Sequence, residues 1–100
     1  MKNEMTRRLF TNERKFDLGR VMVTTAALYV LSVAEMDNAL QRHNRGDWGD
    51  VGSDDWESND LAVEEGSRLL SVYQSTTQTV FWIITEWDRS LTTILLPSDY

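Results

Sequence analysis

His43 is the only histidine in the chain. An imidazole titrates close enough to neutrality to act as a general base. Its neighbours suggest a different role. Met36, Ala39, Leu40 and His43 recur at i, i+3, i+4 and i+7, which is one face of a helix. An imidazole there, near the helix C-terminus, is favoured by the dipole and can bond the last carbonyls. The structural role is therefore the expectation. Glu86, Asp88 and Arg89 cluster where a tight turn is expected. Neighbouring carboxylates are the raw material of acid–base catalysis. Yet Asp in a turn ordinarily bonds its own backbone, and an acid beside Arg is usually an exposed ion pair of small worth. No lysine completes a nuclease-like acidic cluster. No catalytic residue is assigned on this basis. A small enzyme or toxin-like protein using His43 with Glu86, Asp88 and Arg89 stands as the alternative.

Asp47, Asp50, Asp54 and Asp55 could ligate a cation, but their spacing does not match the oxygen positions of a calcium loop. No metal and no cofactor is expected. Four tryptophans are many for 100 residues. Trp82 alternates with Val80 and Ile84 and reads as core, and Trp56 has a helical core position. Trp48 lies in a loop between Asp47 and Gly49, and Trp87 lies at a turn. Those two are candidate exposed anchors, since tryptophan is over-represented at binding hot spots. Folding over the core edge is the competing reading for each. The partner-binding candidates are thus Asp47, Trp48, Trp87, Asp88 and Arg89, with His43, Asn59 and Glu86 as further polar candidates.

The elements that position these residues follow from period and punctuation. Residues 1–16 show no sustained period and read as an arm added to the domain, dispensable for folding. Residues 19–24 are rich in β-branched types and suit a strand. Thr24 or Thr25 can cap a helix over 26–33, apolar on most sides and so expected to be buried. Ser32 and Glu35 fit a capping box that opens a second helix, and Gly46 can end it. Residues 44–53 hold three glycines and read as a loop. Ser53 is the expected cap of a third helix, with Asp54 and Asp55 in its first turn; Trp56, Asn59 and Val63 share one face, and Gly66 ends it. Three strands over 69–74, 79–86 and 91–96, joined by short polar links, predict an antiparallel meander stopped by Pro97. The expected fold is α+β. A mostly antiparallel four-stranded sheet joins one N-terminal strand to the meander, and two or three helices cover one face. Both faces of the meander are apolar; helices are expected over one, and a partner or the N-terminal arm over part of the other.

Composition narrows the function classes. One hundred residues support a single domain, here 17–100. No window approaches the roughly 18 consecutive apolar residues of a membrane span. There are no cysteines, hence no disulfide framework, and a cytoplasmic protein is expected. The net charge is −6, unevenly spread: residues 44–65 carry eight acidic side chains and one basic. Such a body repels phosphates, so direct nucleic-acid binding is not expected. A solvated helix face is the plain reading of the acidic stretch, and a partner surface or an imitation of DNA charge the sharper one.

From His43 onward, the blocks RHNRGDWG (42–49), GSRLLSVY (66–73) and WIITEWDRSLTTILLPSDY (82–100), with the Asn59 helix between them, appear in a recognisable order. Together with LGRVMVTTAAL (18–28) they resemble a family of small bacterial proteins found on plasmids and other mobile elements. Some members carry a type I restriction-modification subunit label. That label does not suit this chain, which is too short for a methyltransferase domain and has no glycine-rich cofactor loop after a strand. Residues 1–16 depart from the pattern. The resemblance implies a mobile-element accessory protein and supplies no activity. The expected function is a non-enzymatic interaction protein with a protein partner, acting on a host defence or DNA-processing complex. An acidic DNA mimic is a further alternative.

Overall fold

The computed structural model describes residues 14–100, and positions 1–13 of the expected arm lie outside them. The chain runs through β1 (Arg20–Val23), α1 (Thr25–Val30), α2 (Val33–Asn44), α3 (Ser53–Glu65), β2 (Leu69–Gln74), β3 (Val80–Thr85) and β4 (Leu91–Leu95). A 3-10 turn over Pro97–Asp99 follows. The fold is α+β. Among the described residues no helix is long and apolar enough to cross a membrane.

The strands form one sheet in the order β1-β4-β3-β2. β2, β3 and β4 make an antiparallel meander, with Leu69 opposite Thr85 and Ile83 opposite Ile94. The expectation of a mostly antiparallel sheet is corrected by β1. It lies parallel to β4, Val21 beside Thr92 and Val23 beside Ile94, so the sheet is mixed. The direction follows from the connections. Three helices between β1 and β2 form a long crossover, which lets a strand return in the same sense. Two hairpin reversals then leave β4 running with β1.

Local chemistry sets the helix ends. Ser32 and Glu35 make the reciprocal capping box, each end amide bonded at 3.0 Å. Gly66 ends α3 in the left-handed conformation, φ 77°. The expected Ser53 cap shifts by one residue: Gly52 is the N-cap and gives no side-chain bond. The first helix departs further. α1 has six residues and buries only Ala27, while Leu28, Tyr29 and Val30 are exposed. A helix this short at the sheet margin can present only one side to the core, whatever its composition.

Alternation sends Leu69, Ser71, Tyr73, Phe81, Ile83, Thr85, Thr92 and Ile94 toward the helices, and all are buried. They split into two apolar clusters. One joins Ala27, Leu31, Met36 and Ala39 to Tyr73, Phe81, Ile83 and Ile94. The other joins Phe16, Trp48, Ala62 and Leu69. Phe16 therefore belongs to the domain rather than to an arm. Asn44 holds it there, its side-chain amide donating to the Phe16 carbonyl at 2.7 Å while its own carbonyl accepts from the Lys15 amide at 2.9 Å.

The β2 edge is covered by its own chain. Val72 N–H donates to the Trp48 carbonyl at 3.0 Å, and Asp50 N–H donates to the Val72 carbonyl at 2.7 Å. This approach requires Gly49, whose φ is +77° and where a Cβ would stand 2.0 Å from the Val72 oxygen. Further along, the Asn59 amide donates to the Leu70 carbonyl at 2.8 Å and accepts from the Leu70 N–H at 3.2 Å. Its side chain thus substitutes for one residue of a neighbouring strand.

Candidate interaction surface

His43 sits between the two apolar clusters and is fully buried. Nδ1 lies 2.6 Å from the Ser71 hydroxyl and Nε2 lies 2.8 Å from the Thr85 hydroxyl. Thr85 continues to the Thr92 hydroxyl at 2.7 Å, and Thr92 donates to the Leu18 carbonyl at 2.7 Å. That carbonyl can only accept, which sets the proton directions as far as Nε2, and the neutral state of the buried imidazole sets the Ser71 end. Thr92 gives its proton to Leu18, Thr85 gives to Thr92, His43 gives from Nε2–H to Thr85, and Ser71 gives to Nδ1. The imidazole is therefore the neutral Nε2–H tautomer. Burial lowers its pKa to about 3, helped by the positive charge of Arg89. Phe16 and Trp48 close on the ring in edge contacts at 5.2 and 5.5 Å. A Ser–His pair at 2.6 Å resembles a nucleophile with its base, but both groups are shut away from any substrate. The row satisfies buried polar groups, and it joins α2 to β2, β3 and β4.

The Asp47–Trp48 loop is locked against the core. Trp48 is 0% exposed, which corrects its reading as an exposed anchor. It stacks on Phe16 at 6.1 Å, and its indole N–H donates to Asp60 at 2.9 Å. The Asp47 carboxylate receives Arg42 through two N–H groups at 2.8 and 3.3 Å and the Gly49 N–H at 3.2 Å. The Arg42 hydrogen bond holds its pKa below the usual carboxylate range. Tyr73 donates to the Asp47 carbonyl at 2.6 Å. These bonds occupy the groups that the sequence marks as a loop contact. Among the described residues no group of three or more His, Asp or Glu is placed to hold a metal ion.

The β3–β4 turn divides its candidates. Trp87 is 65% exposed. Asp88 accepts from the Ser90 amide and hydroxyl at 3.1 and 2.7 Å, chiefly the hydroxyl lowering its pKa. Arg89 donates to the carbonyls of Ser67, Glu86 and Ala62 at 2.6, 3.0 and 2.8 Å and lies over the Phe16 ring at 5.6 Å. It thereby ties the end of α3 to the turn. Glu86 pairs with Arg68 at 3.7 Å. Phe16 separates Arg89 from His43, so the residues of the enzyme alternative do not share one open cavity.

A groove that the sequence reading did not single out lies on the sheet face away from the helices. Asn59, Arg68, Leu70, Trp82, Ile84 and Tyr100 line about 250 Å³. Trp82 and Tyr100 meet edge to face at 5.6 Å, and Arg68 donates to the Tyr100 hydroxyl at 2.8 Å. Trp82 is half-buried on this outer face rather than inside the helix-covered core. Period-2 alternation already opposes Trp82 and Ile84 to Phe81 and Ile83. The signal present in the sequence was therefore an apolar second face, expected to be covered in part by a partner or the N-terminal arm. The turn Pro97–Asp99 packs against β3 and covers only part of it.

Comparison with known proteins finds no matching family model, curated protein or solved structure. The site must be read from its own chemistry. The groove offers an apolar floor, two aromatic walls and one guanidinium at its rim. Glu86, whose carboxylate pairs with Arg68, is followed in the chain by the exposed Trp87. Such a surface can bind and orient a partner. A second charged surface runs along α3, where Asp54, Glu57, Asp60, Glu64 and Glu65 are exposed at helical spacing.

Proposed function

We propose that this chain is a non-enzymatic interaction module that docks a protein partner on the open face of its sheet. The observation that carries this reading is the Arg68–Trp82–Tyr100 groove. Arg, Trp and Tyr are the residue types that dominate binding hot spots, and here they surround an apolar floor. An apolar or aromatic side chain of the partner suits the groove, and the Arg68–Glu86 pair provides a polar rim. The resemblance of residues 42–49, 66–73 and 82–100 to plasmid-borne proteins supports an accessory role on a mobile element, modulating a host defence or DNA-processing complex. The enzyme alternative draws little support, because His43 is enclosed, Asp88 caps the turn and Arg89 is held by carbonyls at the end of α3.

One observation favours a second reading, the acidic DNA mimic: the carboxylate row on α3 meets no basic residue in its last turn. Capture of partners from a bacterial host lysate by the immobilised chain separates the two. Trp82→Ala with Tyr100→Ala should abolish capture while Glu57→Lys with Glu64→Lys retains it. The reverse order, with capture lost in moderate salt, would transfer the function to α3.

A further inference from the structure

The two edges of the sheet are treated differently. The β2 edge is paired by Trp48, Asp50 and Asn59 of the same chain. Arg20 of β1 and Thr24 just beyond it donate to the carbonyls of Ser90, just before β4, and of Ile94 within it, at 3.0 Å each. In a strand, alternate residues point their N–H and C=O to opposite sides. Val21 and Val23 therefore aim theirs away from β4, and among the described residues no strand pairs with that side. The neighbouring surface is apolar. Six of the ten large hydrophobic side chains exposed among the described residues are Val21, Met22, Leu28, Tyr29, Val30 and Val33. Tyr29 and Val33 are 85% and 78% exposed.

We infer that β1 and α1 form a self-association surface on which a second copy of this chain docks, the two β1 strands pairing antiparallel about a two-fold axis at Met22. In that register Val21 stands opposite Val23 of the second copy and the reverse. The pairing satisfies every outward N–H and C=O of both residues. An axis normal to the sheet keeps the helix-covered faces on one side, so the exposed sides of the two α1 helices approach each other above the joined strands. Charge favours a copy of the same chain at this place. Two bodies of net charge −6 repel, yet residues 20–33 contain no acidic side chain and a single charge, Arg20. Arg20 falls opposite Thr24 of the second copy, away from its own equivalent. The area suffices. At ordinary side-chain areas the six exposed residues present roughly 600 Å² per copy, hence about 1,200 Å² across a two-fold pair, above the about 1,000 Å² of a specific interface. An open apolar strand edge is otherwise an aggregation hazard, and closing it on a symmetric partner removes that hazard.

Light scattering on the full chain, from micromolar to millimolar concentration, tests this. The expected mass is twice the 11.6 kDa of the chain at the upper end. Val21→Pro removes an N–H with no strand partner among the described residues and should give the single mass with a cooperative melt retained. Tyr29→Glu with Leu28→Glu, which leaves the strand intact, should do the same and stands in if the proline variant fails to fold. A wild-type chain that stays at the single mass throughout overturns the proposal and leaves the edge to residues 1–13 or to a different protein. A folded Val21→Pro chain that still doubles overturns the strand pairing.

Discussion

Two aromatic clusters in this protein each hold one nitrogen-rich side chain, and they differ in what can reach it. In the inner cluster, Phe16 and Trp48 enclose His43, whose nitrogens both bond protein hydroxyls. In the outer cluster, Trp82 and Tyr100 flank Arg68 at an open groove. The residues best suited to chemistry lie in the closed cluster, where burial holds the imidazole neutral. The open cluster has residues suited to recognition. Residue type alone would rank the two in the opposite order. Accessibility decides, because a general base must reach a substrate proton.

The comparison is most easily broken at Trp48. If the inner cluster is core, Trp48→Ala should cost about 3–5 kcal/mol, the range for truncating a buried large aromatic, and Phe16→Ala should approach it. Urea unfolding measures both, and a midpoint unchanged in either variant would return that residue to the surface. The pH dependence comes next. His43 has a folded pKa near 3, below its ordinary 6.5. Between those values the unfolded chain binds a proton that the folded chain refuses. Stability should therefore be full above pH 6.5 and fall as the pH drops toward 3, by at most about 1.4 kcal/mol per pH unit. From pH 6.5 down to about 5 no other side-chain type titrates ordinarily, so His43→Gln should flatten that limb, whatever it does to overall stability. A wild-type midpoint independent of pH there would mean that the imidazole is already open to water. Arg89→Ala should cost about 2 kcal/mol by removing the guanidinium bonds to the Ser67, Glu86 and Ala62 carbonyls. It should also shorten the acid limb, since removing the nearby positive charge raises the His43 pKa and ends the loss at a higher pH. The smallest effect on folding belongs to the outer cluster. Tyr100→Ala should change stability by under about 1 kcal/mol, and its consequence should appear in partner capture.

Much of the scaffold was legible in the sequence. The i, i+3, i+4, i+7 row placed His43 on the buried face of α2. Ser32 and Glu35 marked its start, and polar links marked the hairpins. Of the polar candidates, Asn59 was found on the correct helix face, but its role as a surrogate strand for Leu70 was not, because the bond spans 11 residues between two elements. The partners of His43 lie 28 and 42 residues away, on strands whose alternation shows which face they take but not which helix covers them. Trp48 misled for the same reason. A glycine-rich loop reads as surface, yet Gly49 lets the backbone run against Val72 and turns the indole inward.

The sequence by itself determined the helix and hairpin punctuation, the two apolar faces of the meander and the acidic helix. Those features depend on steric and hydrogen-bond preferences that act within a few residues. Tertiary structure alone decided the parallel seating of β1 on β4, the closure around His43 and Trp48, and the open groove beneath Tyr100. Each depends on surfaces contributed by segments far apart in the chain. Burial is a property of the assembled layers, and the pattern of one segment states which side is apolar without stating what will cover it.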